Sequence, residues 1–205
     1  MKYEWRKVEK SLYLPSEKPE KIIVPEFKFI TIEGEGDPNG PEFSDRVEAL
    51  YSISYAIRMM PKKGIIPEGY FEYTVYPLEG LWDLSEAGRG KESLDKSELV
   101  YNIMIRQPEF VTEEVFDLAL EIAKKKGNVK FLDELKLQNI EDGPCVQMMH
   151  IGSYDDEKKS FALMKEFIAE NGFRLKTMVH REIYLSDPRK SEPDKLKTVL
   201  RYMVE

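Results

Sequence analysis

CVQMMHIGSYDD, residues 145–156, decides the fold, because FKFITIEGEGDP, residues 27–38, runs through the same order of strand, glycine and acidic turn. Gly34 stands opposite Gly152, and Asp37 opposite Asp155. Each stretch is followed by a segment of helical period. After the first, Val47, Leu50, Ser54 and Ile57 recur at helical spacing, with Ser44 as a capping residue and Pro61 and Gly64 as the stop. After the second, DDEKKSFALMKEFIAENG (155–172) places Phe161, Met164, Phe167 and Ile168 on one face and stops at Asn171-Gly172. Two alternating runs then close each copy: Phe71 to Leu78 and Leu99 to Gln107 in the first, Met178 to Leu185 and Leu196 to Val204 in the second.

A strand-helix-strand-strand order met twice predicts an α+β protein of two pseudo-symmetric modules with antiparallel sheets, helices on one face and a ligand cleft on the other. The expected organisation is one domain over 1–205: an N-terminal arm at 1–24, a first module at 25–110, a linking helix and connector at 111–143, and a second module at 144–205. Within the linker, TEEVFDLALEIAKKKG (112–127) has a capping Thr, an acidic first turn and a basic end, as the helix dipole favours. Residues 128–143 read as a mixed connector, and the polar segment 83–98 as a long, mobile connection.

Composition removes several classes of function. A chain of 205 residues that is 41% hydrophobic can bury a core of its own. A net charge of −7 is a poor match to a phosphate backbone, so nucleic acid is not expected as a partner. The single cysteine, Cys145, leaves no disulfide framework and fits a reducing, cytoplasmic setting. No window reads as a signal peptide or a membrane-spanning helix. Whether the acidic surface pairs two chains into a homodimer is left open by the sequence.

No metal-ligand spacing and no phosphate-cradling glycine pattern occurs, so neither a metal nor another cofactor is expected. Cys145 stands in no nucleophile signature. His150 and His180 keep a haem reading formally open, although a lone His in a strand more often serves structure. What remains is a carboxylate among aromatics. In the strand 178–185, alternation sets Val179, Arg181, Ile183 and Leu185 on one face and His180, Glu182 and Tyr184 on the other. The odd face suits a helix-covered core, which would turn the even face to a cleft. Val146, Met148 and His150 share a face, as do Glu72, Thr74 and Tyr76. Trp82 lies in the irregular stretch PLEGLWD and needs cover for its indole. Taken alone, these residues favour a solvated Glu182 and ordinary aromatic packing.

HIGSYDD (150–156) is similar to the His-x-Gly-x-Tyr turn that opens the second half of the GyrI-like (gyrase-inhibitor-like) small-molecule-binding domain. HREIYLSDP (180–188) with LKTVLRYMV (196–204) resembles that family's Glu-x-Tyr-x-x-Asp-Pro strand and its final strand. The resemblance is specific over the second half and topological over the first. It implies paired strand-helix-strand-strand modules around an aromatic cleft, with Glu182 facing the ligand. It also implies a stand-alone member, since nothing before residue 27 reads as a helix-turn-helix. Some such members hydrolyse cyclopropanoid genotoxins, DNA-alkylating compounds of the yatakemycin type. On that resemblance Glu182 is expected as the base, Tyr184 as the hydroxyl that holds Glu182 or the water, Trp82, Tyr55, Tyr76 and Tyr51 as ring walls, and His150 and Met148 on the cleft floor. The ligand would be a small planar aromatic or cationic compound. Two other readings stay open: a noncatalytic multidrug-binding or ligand-sensing domain, and a protein-binding gyrase inhibitor.

Overall fold

A computed structural model describes residues 2–205. The described residues form six α-helices, α1 (Trp5–Val8), α2 (Lys10–Tyr13), α3 (Pro41–Arg58), α4 (Glu86–Arg89), α5 (Glu113–Lys124) and α6 (Glu157–Glu170). Its strands are β1 (Glu20–Val24), β2 (Phe27–Glu35), β3 (Leu78–Leu84), β4 (Leu99–Arg106), β5 (Lys136–Ile140), β6 (Gly143–Ile151), β7 (Leu175–Tyr184) and β8 (Lys197–Val204). The class is α+β, and the strand pairs with a defined register are antiparallel. Two compact units divide the described residues, the first formed by 2–4, 27–78 and 84–140, the second by 5–26, 79–83 and 141–205.

The two stretches that match in sequence, β2 and β6, are interior strands of their units, each paired on both sides. In the first unit β2 lies between β4 and β5, with Ile32 opposite Ile103 and Ile30 opposite Leu137. Helix α3 covers this sheet and packs on α5. Ile30, Ile32, Leu50, Ile53, Ile57, Ile103 and Ile105 form its fully buried centre. Helix α3 starts three residues before the predicted cap: Gly40 is its N-cap and Pro41 opens the first turn, where the missing N–H is no loss. Thr112 caps α5 as expected, its hydroxyl accepting from the Val115 amide at 3.3 Å.

In the second unit the strand order is β1-β6-β8-β7-β3. Helix α6 packs on β6 and β8. Val146, Met148, Met164, Ile168, Leu200, Tyr202 and Val204 make the apolar core between them.

Several local expectations are corrected. Residues 71–77 are not a strand: Tyr73 makes a single bridge to Tyr3, and the strand starts only at Leu78. Pro77 has no N–H for a ladder, and Phe71 and Tyr73 satisfy their alternation by packing edge-on to Phe110 instead. Trp82 consequently lies within β3, not in an irregular stretch. The connector 128–143 contains β5, which pairs with β2. The N-terminal segment is ordered, with Trp5 and Tyr13 buried and their rings 4.9 Å apart. Its strand β1 pairs with β6 of the second unit, although β2 of the first unit follows it directly in sequence. Strand β5 does the converse, preceding β6 and pairing with β2.

The two glycines of the repeat do different work. A Cβ on Gly34 would meet the ring of Tyr101 at about 2.5 Å, so the residue is small to admit that ring. Gly152 has φ +140, a left-handed backbone that turns the chain from β6 toward α6.

Candidate functional site

The antiparallel register of the second unit arranges side chains in rows across the sheet. Thr198 stands opposite both His150 and Tyr184, Leu200 opposite Met148 and Glu182, and Tyr202 opposite Val146 and His180. All of these point toward α6. The His180 ring lies 4.6 Å from that of Phe161 on the helix, and Phe161 is 5.2 Å from Tyr202. The face of β7 bearing Glu182 is therefore the helix-covered one, the reverse of the sequence expectation. The reason lies on the other face, where the N-terminal segment meets Arg201 and buried carboxylates meet Arg181.

That odd face holds a buried ion cluster. Arg181 grips Asp142 with two parallel bonds of 2.6 and 2.7 Å and donates to Glu79 at 3.1 Å. Arg201 donates to the Leu12 carbonyl and to Gln147, both at 2.9 Å, and Gln147 donates to the Ser11 carbonyl at 2.7 Å. Burial alone would raise the Asp142 carboxyl, but the Arg181 and Arg201 guanidiniums outweigh it and hold the group below its ordinary value. An Arg in the middle of β7 is thus ion-paired in the interior. It fastens β3 and the entry to β6 behind the strand that carries Glu182, while Arg201 and Gln147 hold α2.

On the even face Glu182 lies where α6 begins and its apolar core ends. It is 9% exposed. Tyr184 donates its hydroxyl proton to Glu182 Oε2 at 2.7 Å and accepts from the Trp82 indole N–H at 2.8 Å. His180 Nε2 lies 3.1 Å from Glu182 Oε1, which makes Nε2 the protonated nitrogen. Burial, and then the charge of Glu182, push the Tyr184 hydroxyl well above its ordinary range, so it stays a donor.

The turn Tyr154–Asp156 brings two further groups that sequence reasoning missed. Tyr154 sets its ring edge-on to Tyr184 with centroids 5.8 Å apart, and it is 39% exposed at the rim. Glu157, the first residue of α6, is 95% buried by its 5% exposure, and its Oε1 receives no hydrogen bond from the described residues. Burial, the charge of Glu182 and a hydrogen bond to that carboxylate raise the Glu157 carboxyl from 4.5 to about 10. The protonated acid then donates to Glu182, and an oxygen with no donor of its own gains a partner. The acidic run DDE at a helix start is an ordinary dipole signal, which is why Glu157 did not stand out from its neighbours.

A carboxylate offers about four acceptor directions. Tyr184 and His180 take two of them, one on each oxygen. Trp82, Tyr184 and Tyr154 supply aromatic surface beside the carboxylate.

The other expected site residues fall elsewhere. Met148 belongs to the apolar core under α6. His150 is held at both nitrogens, Nδ1 to the Ser160 hydroxyl at 2.9 Å and Nε2 to the Ser153 carbonyl at 3.0 Å. Tyr51, Tyr55 and Tyr76 belong to the first unit. Tyr55 is exposed and 6.3 Å from Tyr51 ring to ring, whereas Tyr76 is buried with Arg106 4.7 Å over its ring. Among the described residues no three His, Cys, Asp or Glu side chains assemble as metal ligands. No helix among the described residues is long and apolar enough to cross a membrane.

This combination of an α+β fold and an acid among aromatic rings defines a small-molecule-binding protein. The profile of the GyrI-like small-molecule-binding domain matches residues 17–204, and the chain belongs to that family. A hydrolase from Listeria innocua is 41% identical, with a TM-score of 0.91 and both chains covered in full. An uncharacterized conserved protein from Listeria innocua is 44% identical, with a TM-score of 0.92 and the same coverage. The C-terminal domain of EcmrR, 14% identical with a TM-score of 0.53 over 92% of this chain and 97% of its own, shares the fold. No curated protein sequence matches significantly.

Proposed function

We propose that the protein is a cofactor-independent hydrolase that opens planar electrophilic aromatic compounds of the cyclopropanoid type and so detoxifies them. The observation that carries this reading is the buried Glu182 carboxylate, oriented by Tyr184 and His180 at 2.7 and 3.1 Å beside aromatic rings. The name of the Listeria hydrolase, 41% identical over the whole chain, supports the reaction class.

In this mechanism a water molecule donates a hydrogen bond to Glu182 and attacks the strained ring carbon while its proton passes to the carboxylate. The carbon–carbon bond of the cyclopropane breaks, and its electron pair moves into the conjugated ring as a phenolate. Tyr184 acts as a positioning residue on Glu182, and Trp82 positions Tyr184 in turn. Tyr154 and Tyr184 give the planar ring edges and faces to pack on. We place the reaction in the cytoplasm, where the lone thiol of Cys145 stays reduced.

Incubation with a cyclopropanoid followed by mass spectrometry tests the reading. Gain of one water above the spontaneous rate, lost in Glu182→Gln, is the expected result. An unaccelerated reaction, or full activity in Glu182→Gln, removes it.

One observation favours a second reading. Glu157 and Glu182 together carry a single negative charge beside aromatic rings, which suits noncatalytic capture of a lipophilic monocation. Tight binding with the ligand chemically unchanged, and loss of preference for cations in Glu182→Gln, would select it.

A further inference from the structure

The mechanism above uses Glu182 and leaves Glu157 without a task. Yet Glu157 is the more deeply buried of the two carboxyls, and its Oε1 has no donor among the described residues. The Tyr154–Tyr184 ring contact at 5.8 Å brings the turn before α6 over the end of β7, and there Glu157 interacts directly with Glu182. Two carboxyl groups in hydrogen-bonding contact inside a protein cannot both ionise, so the pair holds one proton. A proton donor and a proton acceptor then stand side by side.

We propose that Glu157 is the general acid of this site and that the adjoining acid–base pair extends its substrates to aryl epoxides. The inference rests on the reading of Glu182 as the base. Adjacency decides the class. In a cyclopropanoid the oxygen that gains negative charge lies across the six-membered ring from the attacked carbon, away from an acid that touches the base. In an epoxide that oxygen is bonded to the attacked carbon, within reach of Glu157 while Glu182 holds the water. The aryl group would pack against Tyr154 and Tyr184.

The step balances without a cofactor. The water oxygen bonds to the epoxide carbon as its proton passes to Glu182. The ring carbon–oxygen bond breaks, and its electron pair goes to the oxygen, which takes the proton of Glu157. The product is a vicinal diol. Glu182 is left protonated and Glu157 ionised, and one proton transfer across their mutual hydrogen bond restores the starting pair.

Styrene oxide is the probe, with conversion to the diol followed by mass spectrometry beside a parallel cyclopropanoid assay. The wild-type chain should open styrene oxide well above the buffer rate. Glu157→Gln, which keeps the side chain's shape and a donor to Glu182, should lower kcat for the epoxide by about a hundredfold, within the range of one general acid. The loss on the epoxide should exceed the loss on the cyclopropanoid by at least about tenfold, and a cooperative urea transition shows that the variant is folded. No acceleration of epoxide opening by the wild-type chain overturns the proposal, and cyclopropanoid activity lost in Glu182→Gln would then leave the base reading standing. Equal losses on both substrates in Glu157→Gln also overturn it, because Glu157 would then act only through Glu182. Epoxide opening that survives Glu182→Gln sinks the base reading together with the proposal.

Discussion

Replacing Glu157 by Gln should make the protein's stability less dependent on pH. In the folded chain, burial and then the Glu182 carboxylate raise the Glu157 carboxyl from 4.5 to about 10. Between those values the folded protein keeps a proton that the unfolded chain has released. The stability attached to this group is therefore fully present below the unfolded value and is lost as pH rises toward the folded one. Each pH unit in that window removes about 1.4 kcal/mol. From about pH 5 to about pH 7 the loss is about 3 kcal/mol, a large share of the 5–15 kcal/mol typical of a folded domain. Gln does not titrate, and its amide N–H can donate to Glu182 as the acid does. Urea unfolding of both proteins at about pH 5, 6, 7 and 8 gives the stability of wild type minus variant, in which every other titration cancels. That difference should fall steadily with pH, leaving the variant the more stable protein at the alkaline end. A difference that is flat with pH would falsify the assignment of a proton to Glu157, even if the variant were uniformly weaker.

Further expectations follow from the surrounding contacts. Asp142→Ala leaves Arg181 with Glu79 in place of two carboxylates and takes the carboxylate from buried Arg201, and should cost about 3–5 kcal/mol in urea unfolding; a loss under about 1 kcal/mol would mean that water reaches the cluster. Trp82→Phe deletes the indole N–H that Tyr184 accepts at 2.8 Å. If Tyr184 positions Glu182, kcat should fall about tenfold, the worth of one such hydrogen bond, with KM little changed; an unchanged kcat would show that the indole only packs. Cys145 is fully buried, and burial pushes its thiol up to about 12. It should resist iodoacetamide at neutral pH until urea unfolds the chain, and rapid labelling of the native protein would contradict this.

Much of the fold was legible because it is local. The apolar period of α6, the Thr112 cap and lysine-rich end of α5, and the alternation of β7 and β8 each depend on residues a few positions apart. The matching turns at Gly34 and Gly152 revealed the repeat, and HREIYLSDP showed that Glu182 and Tyr184 share a side of one strand. Missed pieces were short or pattern-poor. Strand β5 exists because β2 offers it an unpaired edge, and residues 71–77 fail to form a strand because Pro77 and the Phe110 contact draw them elsewhere.

What the sequence by itself determined is the set of elements, their class and the presence of an acid and a phenol at adjacent positions of one strand face. Only the tertiary structure decided what meets that face. Alternation tells which residues share a side but not which side a helix will cover, since that depends on the competing surface. Here α2 meets Arg201, and Asp142 and Glu79 meet Arg181, so α6 takes the opposite face and lays Glu157 on Glu182. Two glutamates 25 positions apart in sequence (182 − 157) become one acid–base pair through burial, which forbids both charges at once.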